Sequence, residues 1–168
     1  METIALRPHH LLDVVTDFEF DDDPDCEPAP GENGVRALIR LVGADLDRPV
    51  RFTIGPDFVC EPCSHLQPDG RCDRILEHHD PPEPMDDYND RLDRRILEAL
   101  GITPGTEMPI REFLEMINDR MPGFERICTH PGRTRADRRE GLIRGLTALG
   151  VRSEAESDGP APQAYQVE

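Results

Sequence analysis

The chain of 168 residues contains no lysine and no tryptophan, and only 5% of its residues are aromatic. Its 19 basic residues are therefore all arginines, set against 35 acidic residues, and the formal net charge is −16. Nucleic acids and anionic membranes are bound through basic surfaces that displace counterions from phosphates. We therefore expect no nucleic-acid partner and no membrane partner.

Long apolar runs are also missing. No stretch approaches the run of about 18 apolar residues that a membrane-spanning helix needs. The first twelve residues carry an acid, Glu2, and two histidines where a secretory signal would have a basic start and an apolar run. We expect a soluble, cytoplasmic protein.

The acidic surplus destabilises a compact chain by self-repulsion, which salt screens. Two explanations stay open: adaptation to a salt-rich cytoplasm, or a GC-rich genome that encodes arginine in place of lysine, together with acidic loops. Hydrophobic residues make up only 36% of the chain. A core of that size gains usefully from a metal that holds segments together.

Apolar periodicity predicts an α+β fold, mostly helical, with a small two- or three-stranded sheet. Residues 3–6 and 50–54 read as short strands that could pair in parallel, so that the segments following them leave the same sheet edge. Helices are predicted after Pro8, from Asn33 or Gly34, over Asp73–His79 for a turn or two, over 88–100, from Pro109 and over 134–149. We expect one domain over residues 1–150 and a disordered acidic tail over 151–168.

Three of the five cysteines lie within thirteen positions, at Cys60, Cys63 and Cys72. Two cysteines separated by two residues can turn both sulfurs toward one metal, and Cys72 can return through a turn-forming loop. Three thiolates prefer zinc or the iron of a cluster. An odd cysteine count in a reducing compartment argues against a disulfide framework, and reduced buried thiols are the alternative.

The fourth ligand decides what such a site can do. A protein ligand would close the site and make it structural, whereas its absence would leave a position open to substrate or water. In an open site, His9 or His10 could act as an acid or base beside the metal. The candidates for a closing ligand are His9, His10, His65, Cys128 and His130.

Three stretches carry a resemblance to a known family: residues 6–12 (LRPHHLL), residues 55–63 (GPDFVCEPC) with Cys72, and residues 91–101 (RLDRRILEALG). They resemble DUF1284, an uncharacterised prokaryotic family suspected of binding iron–sulfur clusters. The resemblance extends over most of residues 3–150.

The resemblance implies a cluster held by a cysteine of the first motif together with the central cysteines. In this chain Asp13 stands where the family usually has that cysteine, so Asp13 becomes a substituted oxygen ligand, which binds iron less softly than a thiolate. Many members of the family have a second cysteine-rich cluster near the C-terminus. In this chain only Cys128, with His130 nearby, corresponds to it.

Three functions follow as hypotheses. The first is a metal-binding protein, with an iron–sulfur cluster or alternatively Zn²⁺, whose ligands are Cys60, Cys63 and Cys72 with Asp13 or His10. The second is an open-site metalloenzyme that uses His9 or His10 beside the metal. The third is an interaction module stapled by zinc.

Overall fold

The computed structural model describes residues 3–17, 33–128 and 132–155. Within them five α-helices and five short strands form an α+β fold, as the periodicity predicted. In chain order the elements are β1 (Ile4–Leu6), α1 (Pro8–Thr16), α2 (Asn33–Ala44), β2 (Pro49–Phe52), β3 (Ile75–Leu76), β4 (Glu83–Pro84), α3 (Met85–Leu100), β5 (Glu107–Pro109), α4 (Ile110–Asn118) and α5 (Arg135–Ala148), with a 3₁₀ turn at Phe124–Arg126.

The main sheet has the strand order β1-β2-β5. β1 and β2 pair in parallel, with Ile4 opposite Val50 and Leu6 opposite Phe52. The parallel pairing that the sequence left as a possibility is therefore found. Because parallel strands end at the same edge, the start of α1 and the loop after β2 leave the sheet side by side.

Two other features differ from the sequence prediction. Residues 75 and 76 form strand β3, which pairs antiparallel with β4, so the helical turns predicted over Asp73–His79 are wrong. The two prolines at 81 and 82 interrupt helical hydrogen bonding and favour a reversal of the chain there. Strand β5, which no alternation signalled, pairs antiparallel with β2.

Two helices begin or end at residues that the sequence predicts for a helix start or stop. α3 ends at Gly101, whose φ of 69° is left-handed, and the N–H of Ile102 donates to the Leu97 carbonyl at 2.9 Å. This arrangement satisfies carbonyls that a helix end otherwise leaves without partners. α5 begins with a capping box in which Thr134 and Asp137 exchange side-chain and backbone hydrogen bonds.

The core lies between the sheet and the helices. Phe52 of β2 packs on Phe113 of α4, with ring centroids 4.3 Å apart and no exposed surface on either residue. Burial of an aromatic side chain of this size stabilises the fold by about 1.5–3 kcal/mol. The part of the chain that the structure describes has no helix long and apolar enough to cross a bilayer.

α1 and α5 pack very closely, and two glycines of α5 allow it. A Cβ built on Gly145 would lie 1.8 Å from the carbonyl oxygen of Val15, and one on Gly141 would lie 2.8 Å from that of Thr16. Any larger residue would push α5 away from α1 because a backbone oxygen cannot move aside as a flexible side chain does.

Two segments lie outside the described residues: residues 18–32, which are rich in acids and contain Cys26, and residues 156–168 of the predicted tail. The beginning of that tail packs on the domain. Val151 contacts the core, and the buried Arg152 donates to the side chain of Asn118 at 2.9 Å.

Replacement of Gly145 by alanine tests this close packing. Helix propensity alone would stabilise α5 by about 1 kcal/mol, whereas the clash with Val15 should instead destabilise the protein by about 1–3 kcal/mol. The reverse substitution at an exposed position of the same helix, Ala148→Gly, should cost at most about 1 kcal/mol. Urea unfolding measures both, and a stabilised Gly145→Ala variant would contradict the packing described.

Candidate metal centre

The loop after β2, residues 53–74, carries Cys60, Cys63 and Cys72 and is called the cysteine loop below. It folds back over β1, since the N–H of Phe58 donates to the Ala5 carbonyl at 3.1 Å. Its residues 57–60 therefore lie beside the first turn of α1, where the two predicted histidines are found.

Gly34 of α2 lets this loop approach. A Cβ at that position would lie 2.2 Å from the carbonyl oxygen of Val59. The cysteine loop is thus held between β1 on one side and the start of α2 on the other.

Asp57 joins the cysteine loop to α1. Its carboxylate is fully buried and accepts four hydrogen bonds, two at each oxygen. The donors are the Arg7 N–H at 2.7 Å and His10 Nδ1 at 2.9 Å to Oδ2, with the Val59 N–H at 3.0 Å and the Cys60 N–H at 3.1 Å to Oδ1.

Burial alone would raise the pKa of Asp57, but the hydrogen bond and charge of His10, together with the backbone donors, outweigh it and lower the pKa to about 2. The carboxylate is therefore ionised at neutral pH. In the neutral tautomer whose Nδ1–H donates to Asp57, Nε2 of His10 carries the lone pair, and no hydrogen bond of the described residues occupies it.

His10, Asp57 and Cys60 form a compact group of metal-ligating side chains. One ligand atom from each lies within 4.8 Å of the others. Across residues 3–17, 33–128 and 132–155, no other set of three or more histidine, cysteine or acidic side chains meets that distance.

The thiol of Cys60 is protonated in the absence of a metal. Burial, followed by the charge of Asp57, raises its pKa to about 12. A metal that binds the sulfur must displace this proton, as metals do at other cysteine sites.

A second carboxylate, Asp93 of α3, holds the other histidine. Asp93 has no exposed surface and accepts three hydrogen bonds: from His9 Nδ1 at 2.9 Å, from the His9 N–H at 2.9 Å and from Arg7 Nε at 2.7 Å. Arg7 is itself only 2% exposed and also donates to Asp90 at 2.6 Å.

The charges of this buried group stabilise one another. Burial alone would raise the pKa of Asp93, but His9 and Arg7 outweigh it and lower the pKa. Burial likewise opposes the charged form of His9, and the Asp93 carboxylate outweighs it and raises the pKa of His9.

The other two cysteines of the loop are half-buried and reduced. Successive turns link Cys60 to Cys63, whose N–H donates to the Cys60 carbonyl at 2.9 Å. The N–H of Cys72 donates to Asp86 at the start of α3, at 2.7 Å. Neither sulfur belongs to the compact group around His10.

Asp13 faces a cavity of about 570 Å³ that His9, His10 and Cys128 also line. Asp13 is an exposed residue of α1. Desolvation by the surrounding protein atoms raises the pKa of its carboxyl group, in spite of the two nearby histidines.

The structure thus brings together His10 and Cys60 of the predicted site, and places Asp13 on the neighbouring cavity. His65 pairs instead with the exposed Asp73 at 2.8 Å. His130 lies outside the described residues.

Sequence reasoning missed Asp57 and Asp93, the two residues that orient the histidines. A signal for Asp93 was present, since it lies three residues before Ile96 and four before Leu97 on the apolar face of α3. A charged residue in such a stripe indicates a buried partner. Asp57 resembled an ordinary turn residue after Pro56.

A protein-family model matches more than half of the chain. A family model described as "Protein of unknown function (DUF1284)" matches residues 32–131. The matched region contains Cys60, Cys63, Cys72 and Cys128 but not His9, His10 or Asp13. No curated protein and no solved structure matches the chain significantly.

Removal of the Asp93 charge tests the buried group. Asp93→Asn leaves Arg7 and His9 short of their main partner, so we expect a loss of about 3 kcal/mol in the free energy of unfolding. The matched control on the same helix is Asp87→Asn, which breaks an exposed pair with Arg71 and should cost at most about 1 kcal/mol.

The pH dependence of this difference has a defined sign. Because the pKa of Asp93 is lower in the folded state than its ordinary 3.8, its contribution is fully present above that pH and is lost as the pH falls below it. Urea unfolding of wild type and Asp93→Asn at neutral and acidic pH should show the gap closing in acid. A gap of constant size would contradict the assignment.

Proposed function

Because the chain belongs to the DUF1284 family, whose description assigns no function, we propose its function from the site itself: it is a metal-binding protein with a centre built on His10 and Cys60. The observation that carries the proposal is the convergence of His10, Asp57 and Cys60 within 4.8 Å. These residues come from two chain segments that the parallel strands bring to one sheet edge.

Asp57 is better suited to orient a ligand than to be one. Its two oxygens already accept four hydrogen bonds, so a metal at this carboxylate would have to displace at least one of them. A histidine whose Nδ1 proton is held by a carboxylate is the usual form of a metal-binding imidazole. The donors we assign to the metal are therefore the imidazole of His10 and the sulfur of Cys60.

Cys63 and Cys72 are the further ligands that we propose. They lie on the same loop as Cys60, and they are close enough to each other for their charges to interact. Three sulfurs and one imidazole make a donor set that suits iron in an iron–sulfur cluster or tetrahedral Zn²⁺, and not the hard cations Mg²⁺ or Ca²⁺. We place the iron–sulfur cluster first because of the three thiolates, with zinc as the alternative.

His10 takes precedence over Asp13 as the fourth ligand in this proposal. His10 belongs to the compact group with Cys60, whereas Asp13 does not.

A second candidate function, an open-site metalloenzyme, is favoured by the cavity beside the site. His9 lines that cavity and is held by a buried carboxylate through Nδ1, an arrangement found in general acid–base histidines. The bound metal would supply Lewis-acid or redox chemistry, and His9 would hold or accept a proton.

Anaerobic purification followed by analysis of iron, zinc and acid-labile sulfide tests the metal proposal. Iron with sulfide in similar amounts supports the cluster, and one zinc per chain without sulfide supports the zinc alternative. A full chain that binds neither metal under these conditions overturns the proposal.

The ligand assignment is tested by substitution in the same assay. Cys60→Ser, Cys63→Ser and Cys72→Ser should each abolish stoichiometric metal binding, and His10→Gln should weaken it. Cys26→Ser, which removes a thiol outside the cysteine loop, is the control and should bind metal as wild type does. Equal metal content in Cys60→Ser and Cys26→Ser would count against the assignment.

A further inference from the structure

The cavity next to the candidate metal centre has the size of a small-molecule site. Its volume of about 570 Å³ falls within the range of about 300–1,000 Å³ typical of ligand pockets. α1, α3 and α5 bound it, and apolar side chains form much of its wall, among them Leu92, Ile96, Phe124 and Leu142. A ligand with an apolar body would fit this wall.

α1 brings several polar groups to the cavity. His9, His10 and Asp13 all line it, and both imidazoles are fixed in place through Nδ1 by buried carboxylates. Among the described residues, neither imidazole has a hydrogen-bond partner at Nε2. A mostly apolar pocket with a few fixed polar groups is the usual composition of a binding site for an organic molecule.

The charge of the cavity wall differs from that of the protein as a whole. The whole chain has 35 acidic residues against 19 arginines. The described residues of the wall include equal numbers, three of each: Asp13, Asp17 and Glu125, with Arg74, Arg133 and Arg138.

Arg74 is an exposed residue of the cavity wall, and its contacts differ from those of the other two arginines. Arg133 pairs with Asp17 at 2.5 Å, and Arg138 donates to the backbone carbonyl of Arg133 at 2.6 Å. Within the described part of the chain Arg74 makes no ion pair, although the protein has a large excess of acids. A planar guanidinium without a partner matches the geometry of a carboxylate.

We propose that this cavity binds a small organic monocarboxylate, with its apolar body against the α3 and α5 wall and its carboxylate at Arg74. The proposal goes beyond metal binding, and it does not require a metal to be present. His10 borders both sites, so a bound carboxylate would lie close to the candidate metal centre.

Calorimetric titration of the full-length, metal-free protein tests the proposal with three probes of equal chain length: octanoate, 1-octanol and octylamine. Octanoate should bind one per chain and at least about tenfold more tightly than the other two, because only it forms a charge-assisted hydrogen bond with Arg74. Equal affinity for all three, tighter binding of octylamine, or no saturable binding of octanoate would overturn the proposal.

Two arginine variants locate the carboxylate. Arg74→Gln should weaken octanoate binding about tenfold and leave 1-octanol unchanged, since it removes one charged hydrogen bond from the complex. Arg94→Gln removes the same charge from an exposed position on α3 that does not line the cavity, and it should bind octanoate as wild type does. An equal effect of both substitutions would mean that only the general charge of the protein matters.

The absence of tryptophan from the chain provides a positional reporter. Asn89→Trp introduces a single fluorophore on the cavity wall, and Glu98→Trp introduces one on the exposed part of the same helix. Octanoate should change the emission of the first variant with the affinity found by calorimetry, and not that of the second.

The reverse pattern, or the same response from both variants, would contradict binding in the cavity. Metal content, measured on the same preparations, separates this proposal from the metal centre. Octanoate binding by a protein that takes up no metal would support the carboxylate site in the cavity and contradict the metal centre.

Discussion

The arrangement of residues 7–10, at the start of α1, depends on two buried carboxylates. Asp93 holds the imidazole of His9, and Asp57 holds that of His10. A buried carboxylate costs several kcal/mol unless donors surround it. Asp57 has four such donors and Asp93 has three, and each set includes one imidazole and one nitrogen of Arg7. Arg7 is therefore shared, through its backbone to Asp57 and through its guanidinium to Asp93.

This sharing links three distant parts of the chain. Arg7 follows β1, Asp57 lies in the cysteine loop and Asp93 lies in the middle of α3. Loss of either carboxylate would leave a buried donor without a partner, and the helix start, the loop and α3 would lose their common contact. Among the described residues, these hydrogen bonds leave Nε2 of both imidazoles without a partner. The same contacts therefore stabilise the fold and orient the two histidines.

The sequence predicted much of this arrangement, and the failures have physical causes. Strand β2 and the stop of α3 at Gly101 followed from local pattern, and both are found. The parallel pairing of β1 with β2 was a possibility that the sequence left open, and it is also found. Strands β3 and β5 are only two and three residues long, too short to show an alternation, and tertiary pairing determines them.

The residues of the candidate site also fall into two groups: those that the sequence predicted and those that it missed. The spacing of cysteines and histidines indicated Cys60 and His10, because both residue types are common metal ligands and the sequence shows them directly. Asp57 and Asp93 owe their roles to burial and to partners 47 and 84 residues away, respectively. Such long-range pairs have no local signature, apart from the position of Asp93 in an apolar stripe.

The most direct test is the metal affinity of Asp57→Asn, which keeps every proposed ligand but removes the charge that orients His10 and one of the two oxygens that accept hydrogen bonds. We predict that the affinity, measured by competition with a chromogenic chelator on folded protein, falls by about 10–100-fold. Asp73→Asn, which releases the half-buried His65 of the same loop, should bind as wild type does. Unchanged affinity in Asp57→Asn, or a larger loss in Asp73→Asn, would contradict a metal centre oriented by Asp57.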